Sequence, residues 1–176
     1  AGLGLAGFFG VRLFLVLLTF GLMLAGSSAV PEKLRIGPID ALRMVFEEYA
    51  ALILLFTAIQ PFEAFWLGPD RLNKLSGERQ PLLLIHGYQC NRGFWFELRG
   101  RLARAGWQVG TISLDPVFND IDGYVEQVSR RIDEVCAAAG TEQLILVGHS
   151  MGGLVARAYL RRHGNGKVAK LVTLGT

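Results

Sequence analysis

Short, wholly apolar segments alternate with amphipathic ones after residue 80, a pattern that predicts an α/β domain with a parallel sheet covered by helices on both faces. A Gly-x-Ser-x-Gly sequence lies where one apolar strand meets the next helix, at Gly148–Gly152. The first 30 of the 176 residues carry a single charge, Arg12. These observations predict a parallel α/β domain preceded by one or two N-terminal membrane helices.

Composition narrows the classes. Hydrophobic residues make up 51% of the chain and charged residues 19%, the reverse of what keeps a chain disordered. The 2 Cys exclude a disulfide-built scaffold. Residues 68–176 hold 14 Lys/Arg against 10 Asp/Glu. Those charges alternate in sign, with Arg99, Arg101 and Arg104 beside Glu97. That reads as solvated helix faces, not a stripe for nucleic acid, and no nucleic-acid motif is present.

Residues 1–67 read as a membrane-anchor region. The uncharged run Leu13–Ala25 continues to Pro31, close to the roughly 20 residues a spanning helix needs. The alternative is a cleaved signal peptide, with Arg12 as its charged start and Ser27–Ala29 as its cleavage site. A second candidate covers about 44–67. Its uncharged core, Tyr49–Phe62, is 14 residues and fits an interfacial or buried helix as well as a span, and Phe62, Phe65 and Trp66 suit the headgroup level. If both segments cross, Lys33, Arg35 and Arg43 hold the connecting loop in the cytoplasm and the C-terminal half lies on the far side. Arg71, Lys74 and Arg79 follow the second segment with equal weight. Residues 68–80, polar with Gly and Pro, read as a linker.

The α/β pattern fills 81–176. Strands are expected at Pro81–Ile85, Trp107–Leu114, Gln143–Val147 and Leu171–Leu174, and helices at Gly93–Ala105, 120–138 and Gly152–Arg162. The helix 120–138 has the clearest period, with Ile121, Tyr124, Val125, Val128, Ile132, Val135 and Cys136 on one face. Asn119 or Asp120 can cap its start and Gly140 its end.

A serine held at a sharp strand-to-helix turn projects its hydroxyl above the sheet edge, and glycines on either side let strand and helix close together. Ser150 has that setting, between Gly148 and Gly152. The following helix start offers amide N–H groups to a developing oxyanion. His86-Gly87-Tyr88 follows the first strand at the same sheet edge and can aim a second N–H, that of Tyr88, beside that of Met151. His86 and His149 read as structural neighbours of the motifs, and His163 as a helix-terminal residue. Cys90 and Cys136 read as free thiols, with a disulfide between them open; no Cys/His cluster suggests a metal. Phe94, Trp95 and Phe96 are candidates for an acyl pocket or for helix-face packing.

Leu82–Tyr88 (LLLIHGY) and Gly148–Leu154 (GHSMGGL) together resemble the α/β-hydrolase superfamily, in particular its bacterial triacylglycerol lipase and esterase branch. Leu171–Thr176 is similar to the strand after the nucleophile helix there. The resemblance covers about 81–176 as a partial α/β-hydrolase domain and implies a cofactor-free serine hydrolase acting on acyl esters or lipids. It implies Ser150 as nucleophile and the amides of Tyr88 and Met151 as oxyanion hole. Acyl transfer, phospholipid deacylation and a non-catalytic membrane-bound binding module stand as alternatives. With an anchor, the protein is expected in the bacterial inner membrane with its hydrolase domain in the periplasm; with a signal peptide, it is secreted. In that family the acid and histidine follow the nucleophile, yet after Ser150 there is only His163 and no Asp or Glu. The chain is therefore expected to be a fragment of low activity.

Overall fold

The computed structural model describes residues 2–26, 36–73 and 79–176. The proposed cleavage site Ser27–Ala29 and the charges Lys33, Arg35 and Lys74 lie outside the described residues. The chain forms two compact units, Ala1–Ala58 and Ile59–Thr176.

The first unit is helical. Helix α1 spans Gly2–Ala25, and α2 spans Pro38–Leu54 with Pro at its first turn, where its missing N–H costs no helical bond. The Tyr49 hydroxyl donates to the Phe9 carbonyl at 3.3 Å, and the Arg12 guanidinium lies 4.2 Å from the Phe56 ring centre. Phe14, Leu17, Leu22 and Leu24 of α1 are exposed. Among the described residues one helix, Ala6–Ala25, is long and apolar enough to cross a membrane.

The second expected span takes a different form. Its helix begins earlier, at Pro38, carries Asp40, Arg43, Glu47 and Glu48, and runs into a π-helical turn at Leu55–Ile59. Gln60–Phe62 form a turn before a short helix α3, Glu63–Leu67. Pro61 explains the break: its ring clashes with the preceding turn and it has no N–H to donate.

In the second unit four parallel strands form one sheet in the order β2-β1-β3-β4. They are β1 Leu82–Ile85, β2 Val109–Ile112, β3 Leu144–His149 and β4 Val168–Leu174. The chain leaves β1 for β2 on one side and returns to β3 on the other, which opens a crevice at the carboxyl ends of β1 and β3. Register pairs Ile85 with Ile112 and with Gly148, so these strand ends are level.

Alternation along the strands divides the core in two. Leu83, Ile85, Leu144 and Leu146 pack with α5, Val125–Ala139, and α6, Met151–His163. Leu82, Leu84 and Val147 face the other way, onto Trp95 and the partly buried Leu98 and Leu102 of α4, Phe96–Arg104. Helices thus cover both faces of β1 and β2, as their continuous apolar runs require, whereas β4 is buried at Val168 and exposed along most of its length.

The α5 face is Val125, Val128, Ile132, Val135, Cys136 and Ala139, all buried, each large aliphatic contributing about 1.5–3 kcal/mol by leaving water. A 3-10 turn, Asp122–Tyr124, precedes it, and the Asp120 carboxylate accepts the Gly123 N–H at 2.5 Å. Gly140 ends the helix at φ 68°, a left-handed position that glycine adopts without strain. The expected helix over 93–105 likewise starts as a 3-10 turn, Arg92–Trp95.

Residues 68–80, polar in sequence, hold a buried anchor. The Asp70 carboxylate accepts the Thr111 N–H at 2.6 Å and pairs with Arg131 at 2.7 Å and Arg99 at 3.2 Å. Its side chain is 3% exposed. Arg99 also donates to the carbonyls of Leu67 and Pro69, at 2.6 and 2.9 Å. The outer edge of β2 is therefore occupied by side-chain bonds instead of another strand.

Candidate active site

Ser150 is the single residue between β3 and α6 and sits at φ 50°, ψ −122°. For an L-residue this costs on the order of 1–3 kcal/mol and persists only where the surroundings enforce it. They do so through bonds and close approach. Its N–H donates to the Leu174 carbonyl at 2.9 Å, and its carbonyl accepts from Gly153 N–H at 3.0 Å and the Thr176 hydroxyl at 3.2 Å. A Cβ on Gly152 would lie 2.2 Å from the Ile85 carbonyl oxygen, and one on Gly148 would lie 2.5 Å from the Gly153 nitrogen. Only hydrogen fits at either place.

The turn after β1 meets this elbow. A Cβ on Gly87 would stand 3.1 Å from the Ser150 Cβ and 3.1 Å from His149 Nδ1. The Gly87 carbonyl accepts the Cys90 N–H at 3.4 Å, closing a turn with Tyr88 and Gln89 at its centre. Gln89 has φ 55°, and it and Ser150 are the non-glycine residues with positive φ among those described. Both strained positions fall at one sheet edge, beside the crevice between β1 and β3.

His86 secures the turn from beneath. It is 2% exposed; its Nε2 accepts the Leu114 N–H at 3.0 Å and its Nδ1 lies 2.8 Å from the Gly87 carbonyl. These two partners require a neutral ring with the proton on Nδ1. Burial keeps its pKa below the ordinary histidine value. Asn91 holds the exit of the turn: its N–H donates to Gln60 Oε1 and its side-chain amide to the Gln60 carbonyl, both at 2.8 Å. Neither Gln89 nor the Gln60–Asn91 clamp was legible as part of the site, because positive φ at glutamine and a bond across 31 residues leave no local pattern.

Met151 opens α6, whose first N–H groups have no acceptor within the helix. Tyr88 is half exposed, its ring edge-on to Phe118 at 6.0 Å. Tyr88, Ser150 and Met151 thus share the carboxyl end of the sheet. His149 is stacked on Phe94 at 4.4 Å, its Nδ1 is buried without a partner, and burial lowers its pKa. His163 lies at the far end of α6, about 18 Å along the helix, stacked on Tyr159 and 3.4 Å from Glu126. Cys90 and Cys136 form no disulfide. Trp95 belongs to the core, and it lines an open groove of ≈380 Å³ with Phe94, Leu98, His149 and Leu174, while Phe96 packs on Trp66. No cluster of three or more metal-ligating side chains occurs among the described residues.

The family model for the alpha/beta hydrolase fold matches residues 80–176. The chain belongs to the alpha/beta hydrolase fold family. This α/β-hydrolase is 31% identical over 106 residues to triacylglycerol lipases of Pseudarthrobacter phenanthrenivorans and Burkholderia plantarii. The match covers 56% of the chain, 33% of the former lipase and 29% of the latter. It is 28% identical over 123 residues to a non-heme haloperoxidase of Rhodococcus erythropolis, covering 65% of the chain and 43% of that protein. Its fold is similar to the mature form of a Bacillus licheniformis lipase, with a TM-score of 0.54 and 22% identity over 61% of this chain and 44% of that one. The α/β-hydrolase chain thus spans about 29–43% of the length of these curated relatives.

Proposed function

We propose that Ser150 is the nucleophile of a cofactor-free carboxylic ester hydrolase of lipase or esterase type, tethered to a membrane by α1. The observation that carries this reading is the strained Ser150 at φ 50°, set against Gly87 in the crevice between β1 and β3. In this reading the Ser150 hydroxyl oxygen attacks the ester carbonyl as a base takes its proton. The N–H groups of Tyr88 and Met151 hold the oxyanion, each worth about 3–4 kcal/mol in the transition state. Collapse expels the alcohol and leaves an acyl-Ser150, which water then cleaves. The groove of Phe94, Trp95, Leu98 and Leu174, with the Glu97–Arg101 pair at its lining, offers an apolar wall for the acyl chain.

Activation of Ser150 needs a base. Of the described histidines, His86 is bonded to Gly87 and Leu114, His163 lies with Glu126 at the far end of α6, and His149 is stacked on Phe94 with its Nδ1 buried. The proposal therefore assigns the triad acid and histidine to sequence outside these 176 residues. The 176-residue chain alone is expected to turn over p-nitrophenyl esters barely above background. At its full natural length, the protein is expected to react with a fluorophosphonate at Ser150, and Ser150→Ala to lower kcat by about 10⁴–10⁶-fold. Absence of labelling at full length, with the fold intact, replaces the enzyme reading with that of a binding module.

A further inference from the structure

Three large aromatic side chains stand in water at the start of the second unit: Phe62, Phe65 and Trp66, of which Phe65 is 81% exposed. Their exposure is built in. Leu67 on the same short helix is buried and its carbonyl is held by Arg99, so α3 is seated with its aromatic side outward. Phe65 and Trp66 pack edge to face at 5.2 Å, and Trp66 continues onto Phe96 at 5.9 Å.

Below them lies an open groove of ≈300 Å³, lined by Trp66, Phe96, Trp107 and Arg71 among others. Its charge is one-sided. Asp70 is already matched by Arg99 and Arg131. Arg71 is exposed and has no ion pair among the described residues, and Arg79 lies 5.4 Å over the Trp107 ring. An aromatic ledge rimmed by arginines matches the boundary of an anionic bilayer, where amphipathic rings settle at headgroup depth and each cation near the surface adds attraction.

We infer that this ledge docks on an anionic phospholipid bilayer, with Phe65 and Trp66 at headgroup depth and Arg71 and Arg79 on lipid phosphates. The inference rests on the proposal that α1 holds the chain at a membrane. Phe65 and Trp66 follow Ala58 by seven and eight residues, so the chain between the first unit's last residue and these side chains spans at most about 28 Å. At that range even a weak surface contact is populated, because the tether raises its effective concentration. The docked ledge would bring the second unit to its lipid substrate without a free search through water.

The test uses the 176-residue chain with phosphatidylcholine vesicles, with and without phosphatidylglycerol, some made with lipids brominated near the carbonyl end of the acyl chain. Emission of the wild type minus that of Trp66→Phe isolates Trp66 from Trp95 and Trp107. The bromolipids should quench this difference signal, and phosphatidylglycerol should deepen the quenching. Phe65→Ser should remove more than half of it. Arg71→Gln and Arg79→Gln should each weaken the preference for anionic vesicles about fivefold. Phe65 and Arg71 are exposed, so thermal unfolding should be unchanged by their variants; Arg79 also donates to the Ala105 carbonyl at 3.2 Å, so a small shift is expected for Arg79→Gln. Flotation with vesicles while Trp66 stays unquenched overturns the docking ledge and leaves the α1 anchor standing. Quenching that ignores phosphatidylglycerol and both arginine variants overturns the charged docking in the same way. A chain that does not float overturns the anchor, and the ledge with it.

Discussion

The two units spend the same residues in opposite ways. In α1, Leu17, Leu22 and Leu24 are exposed and Gly4, Gly7, Gly10 and Gly21 have nothing within 4 Å of where a Cβ would stand. In the second unit Leu83 and Leu84 are fully buried, and a Cβ on Gly148, Gly152 or Gly153 would fall within 2.5 Å of a neighbour. Leucine and glycine therefore do not determine burial. The second unit closes its apolar surface by pairing strands and laying helices on them, whereas α1, packed on α2 through Val16 and Phe9, leaves most of its apolar side chains exposed. The contrast is one of stability in water, and it can be broken or sharpened by substitution.

The largest effect is expected at the elbow. Gly152→Val drives a branched side chain into the Ile85 carbonyl, where a Cβ alone would sit at 2.2 Å. The second unit should lose more than about 4 kcal/mol, read as the loss of its cooperative thermal transition. The same substitution at Gly10, where the space is open, should leave that transition in place. Equal damage at both positions would abolish the contrast.

Next comes the side-chain anchor at the β2 edge. Asp70→Ala leaves Arg99 and Arg131 without their buried carboxylate and the Thr111 N–H without its acceptor. A loss of about 3–5 kcal/mol is expected in denaturant titration. A neutral result would return residues 68–80 to the role of a linker.

A pH effect of intermediate size should follow from His86. Its folded-state pKa lies below the unfolded value because burial disfavours the charged ring. The unfolded chain therefore binds the proton first. Stability is full above the unfolded pKa of about 6.5 and falls as pH drops through the interval between the two values. Protonation also removes Nε2 as acceptor for Leu114 N–H. The melting temperature should decline between about pH 7 and pH 5, and His86→Gln should reduce that slope. His149 shifts in the same direction, so part of the slope should remain.

The smallest effect belongs to α1. Gly21→Ala, exposed inside a helix with open space around it, should raise helicity in detergent by about 0.5–1 kcal/mol. It should not change the melting of the second unit. Coupling of that melt to Gly21→Ala would show that the two units unfold together.

Much of the second unit was legible because its signals are local. Pro81–Ile85 announces a buried strand through an unbroken apolar run, and 120–138 announces a helix through its period. Gly148–Gly152 was legible because a strand precedes it and a helix follows. The Asp70 anchor was not, since its partners Thr111 and Arg131 lie 41 and 61 residues away and its own segment is merely polar. The expected 44–67 helix is interrupted at a legible place: Pro61 marks the break, but its position inside an apolar run masked it.

The sequence by itself determined the kinds of element, the two-sided burial of β1 and the serine at a strand-to-helix junction. Each depends on residues a few positions apart, whose spacing dictates backbone conformation and which side chains share a face. Tertiary structure decided what meets what. The strand order β2-β1-β3-β4 set Gly87 against Ser150, His86 took its neutral form from Leu114 and Gly87, and Asp70 closed a sheet edge. Those contacts join residues far apart in the chain, so they exist only after the core has closed and removed the water that would otherwise satisfy the same groups.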